Sequence, residues 1–276
     1  MGSVARTAER LRAHYRTERK LADRLRRAPD AEARRRIFAT MYDELFREVP
    51  DHPRLAARDS NAQRSREIEW DLAQLAPYLK PGCTFLEVGA GDCALARRVA
   101  ETAGKVYAVD ISDQAVRPLP GSVELAISDG RSIPVPEASV DVAFSDQLME
   151  HLHPDDAIEQ LRNIHRALKP GGVYLCITPN RLYGPSDISA YFDNEARGFH
   201  LREYTLRDLC RIFREAGFGD VHAWIGARGV FMRCPRAPLQ ALESALDRLS
   251  PRVRRRVANA KPLRALLGLR LAAIKA

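Results

Sequence analysis

"FLEVGAGDCALARR", Phe85 to Arg98, is the stretch on which the fold turns. Apolar residues run up to Val88 with a single acid, Glu87, among them. Two glycines follow, Gly89 and Gly91, then Asp92 and a helical pattern. A buried strand, a glycine turn and a helix in that order leave backbone N–H groups unpaired at the carboxyl end of the strand. That is where open α/β sheets take their ligands.

The surroundings repeat this texture. "KVYAVD" (Lys105–Asp110), "VELAIS" (Val123–Ser128), "VDVAFSD" (Val140–Asp146) and "GVYLCITP" (Gly172–Pro179) read as short buried strands. Between them stand helical stretches at Asp92–Thr102 and Pro154–Leu168. Leu206–Ala216 continues as a helix, and "DVHAWIG" and "VFMRC" read as a strand pair closing the sheet. Such alternation predicts a mostly parallel sheet covered by helices on both faces. The first 80 residues read as helices (Val4–Arg27, Ala31–Glu48 and about Asn61–Leu79), the second broken at "VPDHP", Val49 to Pro53. The expected organisation is a helical N-terminal extension (1–60), a core domain (61–236) and a basic helical C-terminal extension (237–276).

Composition bounds the class. The chain has 276 residues, 45% hydrophobic and 29% charged, as in a soluble globular protein. No run of about 18 apolar residues occurs and the N-terminus lacks a secretory leader pattern, so a cytoplasmic protein is expected. The five cysteines are widely spaced, without a CxxC or a Cys/His cluster, so neither a disulfide framework nor a metal site is expected. The net charge of +8 sits in the flanks. Residues 1–36 hold 12 Lys/Arg against 5 Asp/Glu, residues 250–276 hold 8 Lys/Arg and no acid, and the stretch between is net acidic. An acidic core argues against a nucleic-acid grip.

The window Gly89-Ala90-Gly91-Asp92-Cys93-Ala94 fits the dinucleotide pattern G-x-G-x-x-A. Two acids argue the other way. Glu87 and Asp92 flank the turn, and carboxylates there repel a pyrophosphate but suit a ligand with a cationic amine. "LEVGAGDCALA" resembles the first motif of class I S-adenosylmethionine-dependent methyltransferases, and the chain is similar to their type 11 group over about Pro81 to Cys234. The resemblance implies a Rossmann-like, seven-stranded sheet and S-adenosylmethionine as cofactor, with S-adenosylhomocysteine as product. It assigns the cofactor to Glu87, Gly89, Ala90, Gly91 and Asp92, and to Asp110 with Ile111 at the ribose. Asp129 with Gly130 then falls at the adenine amino group, and Asp146 with Gln147 in the loop after the fourth strand. The rivals are an NAD-dependent oxidoreductase and a non-catalytic binding protein.

The methyl acceptor is less legible. A hydroxyl acceptor is helped by a base, and histidine suits that role near neutral pH. His151 and His200 are the candidates, with His153 behind them. The stretch Asn180 to Asn194, with Arg181, Tyr183, Asp187, Tyr191, Phe192 and Asp193, mixes aromatic and polar groups as a sugar or ring-shaped acceptor requires. The expectation is O-methylation of a small molecule or glycan; N- or C-methylation is the alternative. The chain lacks an N/D-PP-Y type motif, so DNA is not expected, and RNA is kept open only by the arginine-rich N-terminus. "KPLRALLGLRLAAIKA" reads as a basic amphipathic helix. It would be docked on the protein's own surface or, as the less favoured alternative, lie on the inner face of an anionic membrane.

Overall fold

The computed structural model describes residues 6–52, 61–113, 116–227 and 230–276. Val4 and Pro53, at the ends of two expected features, lie outside the described residues. Three helices come first: α1 (Ala8–Arg26), α2 (Ala31–Glu48) and α3 (Asn61–Leu75). Then β1 (Thr84–Val88), α4 (Ala94–Val99), β2 (Lys105–Asp110), β3 (Val123–Ile127) and β4 (Val140–Asp146) follow in the predicted alternation. Helix α5 (Pro154–Ala167) leads into β5 (Leu168–Thr178), and α6 (Leu206–Glu215) into β6 (Asp220–Ala227) and β7 (Val230–Cys234). The chain ends through α7 (Arg236–Asp247), α8 (Pro251–Ala258), α9 (Lys261–Leu267) and β8 (Leu269–Ile274).

The strands form one sheet in the order β3-β2-β1-β4-β5-β8-β6-β7. β3 to β5 are parallel; β8 runs antiparallel to both β5 and β6. Strand order reverses between β1 and β4, and the crevice at their carboxyl ends is the ligand position of such sheets. Two buried clusters cover the two faces. One joins β1 and β4 to α5 and α6 through Leu161, Ile164, Leu209 and Phe213; the other joins them to α3 and α4 through Leu75, Leu95 and Val99.

Local chemistry sets the helix ends. Thr205 and Asp208 form a reciprocal capping box on α6, and the side chains of Asp30 and His153 cap α2 and α5. His153 is therefore a cap, as its place before Pro154 allows. The α1–α2 hairpin has its own small core of Leu21, Leu25, Met41 and Leu45, to which Phe199 is added from the segment after β5. A bidentate ion pair, Arg34 to Asp156 at 2.6 and 2.7 Å, ties α2 to α5; both side chains are buried.

The C-terminus corrects two expectations. The basic helix stops at Leu267, and Leu269–Ile274 is a strand between β5 and β6, so the sheet has eight strands and the extension, helical through α7, α8 and α9, ends inside the core sheet. Leu271, Ala272 and Ala273 are fully buried, with Leu271 and Ala273 in one facial cluster and Ala272 in the other. A strand buried on both faces reads as a continuous apolar run, and after the helically spaced Leu263, Leu266 and Leu267 that run mimics a continuing helix. Lys275 donates to the carbonyl of Leu168 at 2.8 Å, so one of the tail's cations is a structural donor. Leu271, Ala272 and Ala273 are core positions of a strand and not the apolar side of a surface helix. Among the described residues no helix is long and apolar enough to cross a membrane.

Candidate functional site

A cavity of about 1110 Å³ opens at the carboxyl ends of β1, β2 and β4. Gly89, Gly91, Asp92, Asp110, Ile111, Gly130, Asp146 and Gln147 all line it. The turn after β1 needs its glycines. Gly89 has φ +79°, and a Cβ there would meet the Leu148 side chain at 3.2 Å. Asp110, at the end of β2, accepts from the amides of Gly91 (2.7 Å), Ile111 (2.7 Å) and Ser112 (3.2 Å), tying the two loops together.

The acids differ sharply. Glu87 is buried beneath the turn, and its Oε2 has no partner among the described residues. Burial pushes its carboxyl up to about 8 against the pull of Arg64 and the Ala96 backbone, with Asp71 and Asp92 adding repulsion. Asp71, from α3, is likewise pushed up to about 8 by burial and by Asp146. Asp146 opens onto the cavity but is crowded by protein atoms, and that desolvation raises it to about 6. Asp92 behaves oppositely: in spite of burial, its 2.8 Å pair with Arg64 holds it below the usual carboxylate range.

Three carboxyls thus face two guanidiniums, Arg64 and Arg270, and Arg64 is already committed to Asp92. A buried acid with an orphaned oxygen in such surroundings calls for a cation. The ammonium and sulfonium of S-adenosylmethionine fit that requirement, and the two phosphates of a dinucleotide do not.

Three assigned residues stand outside the cavity wall, Glu87 beneath the turn among them. Ala90 is buried in the core under the turn. Asp129 turns into its own loop, accepting from the amides of Arg131 (3.0 Å) and Ser132 (2.8 Å) and from the Ser132 hydroxyl (2.6 Å). Those donors overcome burial and hold it at about 2. Its neighbours Ser128 and Gly130 line the cavity, whereas the Asp129 carboxylate is turned to its own loop. Residues the sequence did not single out also line it: Arg64, Trp70 and Asp71 of α3, and Arg270 of β8.

A second cavity, of about 600 Å³, lies between the N-terminal helices and the segment after β5. His151 and Tyr42 line both cavities, and His200, Asp187 and Tyr191 line the second. His151 and His200 meet edge to face, with ring centroids 4.9 Å apart. The Phe199 carbonyl can only accept, so the 3.0 Å contact from His151 places a proton on Nδ1. His200 Nδ1 is 2.8 Å from Glu203 Oε1. Burial acts to lower His200, but Glu203, Glu150 and Asp187 raise it overall.

His14, Glu18 and His52 also line this second cavity; His14 and Glu18 are an i,i+4 pair on α1, and His52 joins Glu18 across 34 residues of sequence, which is a tertiary fact. Of the other expected acceptor residues, Asn180 is buried and bonded to Glu243 and the Leu267 carbonyl, and Arg181 pairs with Asp247. Asp193 accepts from the Tyr15 hydroxyl. Asp193 also lines, with Tyr183, Tyr191 and Phe192, a separate cavity of about 870 Å³.

The methyltransferase-domain family matches residues 60–223. A probable S-adenosylmethionine-dependent methyltransferase of Mycobacterium tuberculosis is 35% identical over 149 residues, 52% of each chain. One from Mycolicibacterium smegmatis is 33% identical over 140 residues, 50% of this chain and 52% of that one. The chain spans about half the length of these curated relatives. A solved SAM-dependent methyltransferase from Archaeoglobus fulgidus shares the fold, with a TM-score of 0.52 at 21% identity, covering 76% of this chain and 94% of that one. With this match across the glycine turn and the sheet that carries it, the chain belongs to the class I S-adenosylmethionine-dependent methyltransferases.

Proposed function

We propose that this chain transfers a methyl group to a hydroxyl of a small molecule or glycan seated in the second cavity. One observation carries the reading: His151 stands in the wall shared by the cofactor cavity and a second cavity that mixes aromatic and polar side chains. S-adenosylmethionine, when bound, supplies an electrophilic methyl on a sulfonium. The chain's part is to orient, neutralise and exclude water. Asp71 and Asp146, in the wall of the cofactor cavity, offer carboxylates to the ligand's cationic groups, with Glu87 beneath the turn. Gly89 and Gly91 give backbone access, and Asp110 presents a carboxylate at the edge of the turn. Tyr42 and Phe199 supply aromatic faces, while His14, Glu18, Asp187 and His200 supply polar groups, a lining that suits a hydroxylated ring.

His151 and His200 are the groups placed to meet the acceptor's reacting oxygen. Incubating the full chain with methyl-labelled cofactor and a panel of hydroxylated sugars and phenols tests the reading. Label released as a base-stable methyl ether supports it; transfer solely to amines, to carbon or to macromolecules overturns it.

A further inference from the structure

The junction of the two cavities holds more than a pair of bases. One ligand atom from each of Glu150, His151 and His200 lies within 4.8 Å of the others. The three are fixed from behind in the way metal ligands are. His151 Nδ1 donates to the Phe199 carbonyl at 3.0 Å, and His200 Nδ1 faces the Glu203 carboxylate at 2.8 Å. With Nδ1 so committed, Nε2 is the atom through which each ring would meet an ion. Glu150 Oε2 accepts from the Thr178 hydroxyl at 2.8 Å, while its Oε1 is buried with no partner among the described residues. Glu150 is 0% exposed, and an orphaned carboxylate oxygen at that depth is costly unless something cationic meets it. Ligating histidines characteristically give their other N–H to a carboxylate or a backbone carbonyl, and both forms occur here.

We infer that Glu150, His151 and His200 form a site for one divalent first-row transition-metal ion that holds the acceptor's hydroxyl oxygen beside the cofactor cavity. The acceptor role rests on the function proposed above; the metal site does not. Two imidazoles and a carboxylate select zinc, iron, cobalt or manganese over calcium and magnesium, and three protein ligands leave a position open. Bonds of about 2.0–2.2 Å bring ligand atoms to roughly 3.3 Å, so closing this set takes side-chain shifts of roughly 1 Å.

The ion would lower the hydroxyl's pKa. The proton leaves to water, the acceptor oxygen forms its bond to the methyl carbon as the carbon–sulfur bond breaks, and the ion keeps its charge. The histidines then serve as ligands rather than as bases.

A second cluster, His14, Glu18 and His52, competes for the same description and fails on geometry. Arg6 donates to His14 Nδ1 at 2.8 Å, and a guanidinium cannot accept. The His14 proton is therefore on Nε2, facing Glu18 at 2.6 Å, and a fixed cation stands beside the ring. That cluster is a closed hydrogen-bond network.

The test strips the full chain with a chelator and titrates it with Co²⁺, reading the visible ligand-field band and the stoichiometry. Expected are one equivalent per chain with micromolar affinity, loss of at least tenfold in affinity in His200→Gln and Glu150→Gln, and retention in His52→Gln. Titration with S-adenosylhomocysteine shows that each variant is folded. No band in the wild type at millimolar Co²⁺, with S-adenosylhomocysteine still binding, overturns the metal site and leaves the methyltransferase reading standing. Binding lost in His52→Gln but kept in His200→Gln overturns it as well, assigning the ion to the other cluster. If Co²⁺ binds as expected but methyl transfer to a hydroxyl proceeds at the same rate in chelator, the acceptor-holding role is overturned.

Discussion

The amide of Gly91 donates to Oδ2 of Asp110 at 2.7 Å, so the turn after β1 and the end of β2 are one unit. The same carboxylate takes the amides of Ile111 and Ser112 on its other oxygen and faces the cavity. Losing a charged acceptor there removes both the loop tie and the group assigned to the ribose. Asp110→Ala should weaken S-adenosylhomocysteine binding by about ten- to a hundredfold, as expected for charge-assisted hydrogen bonds. Calorimetric titration checks this; unchanged affinity would remove Asp110 from the site.

The raised carboxyl of Glu87 has a stability signature. Its folded value, about 8, lies above the ordinary value of a glutamate in an unfolded chain, about 4.3. Between those values the folded state holds a proton that the unfolded state has lost, so this group's contribution to stability falls as pH rises. Glu87→Gln should therefore gain in melting temperature relative to wild type as pH goes from about 5 to about 8, with little difference near pH 4. Bound S-adenosylhomocysteine offers an ammonium to the carboxylate, so ligand should offset part of the wild-type loss and none of it in the variant. Parallel melting curves with and without ligand check both signs.

Arg34 and Asp156 are buried, at 5% exposure each, and bonded through two N–H···O contacts. Removing the cation leaves a carboxylate in protein, with Arg131 at 3.9 Å. Arg34→Met should cost about 3 kcal/mol in chemical denaturation. The pair also holds α2 over the cavities through α5, so the variant should bind S-adenosylhomocysteine more weakly at temperatures where it is still folded. Additional replacement of Asp156 by Asn should recover most of the stability, because no unpaired charge then remains.

What could be read in the chain followed from what is local. The alternation of "TFLEVG" and "KVYAVD" with helical stretches, and the acids at Glu87, Asp92 and Asp110, are patterns within a few residues. They led directly to β1, β2 and the cofactor cavity. Asp129 marks the limit of that reading. Its position after β3 is as expected, but the direction of its side chain depends on Ser132 and on the amides of its own loop. Arg64 and Asp71 carried no signal because α3 looks like any amphipathic helix until it is packed over the turn. His14, Glu18 and His52 come to one cavity only through the α1–α2 hairpin.

The tail gives the sharpest test of where pattern reading fails. In the sheet, Leu271 pairs with Cys176 on one side and Ala223 on the other, and it is 0% exposed. Truncation there opens a cavity in the middle of the larger core cluster. Leu271→Ala should therefore cost about 2–5 kcal/mol and lower the melting temperature without changing affinity for anionic vesicles. A basic helix lying on a membrane predicts the reverse: little change in melting and weaker vesicle binding. The two outcomes separate cleanly because a leucine on a lipid-facing helix is exposed in the free protein, whereas a leucine between β5 and β6 is not.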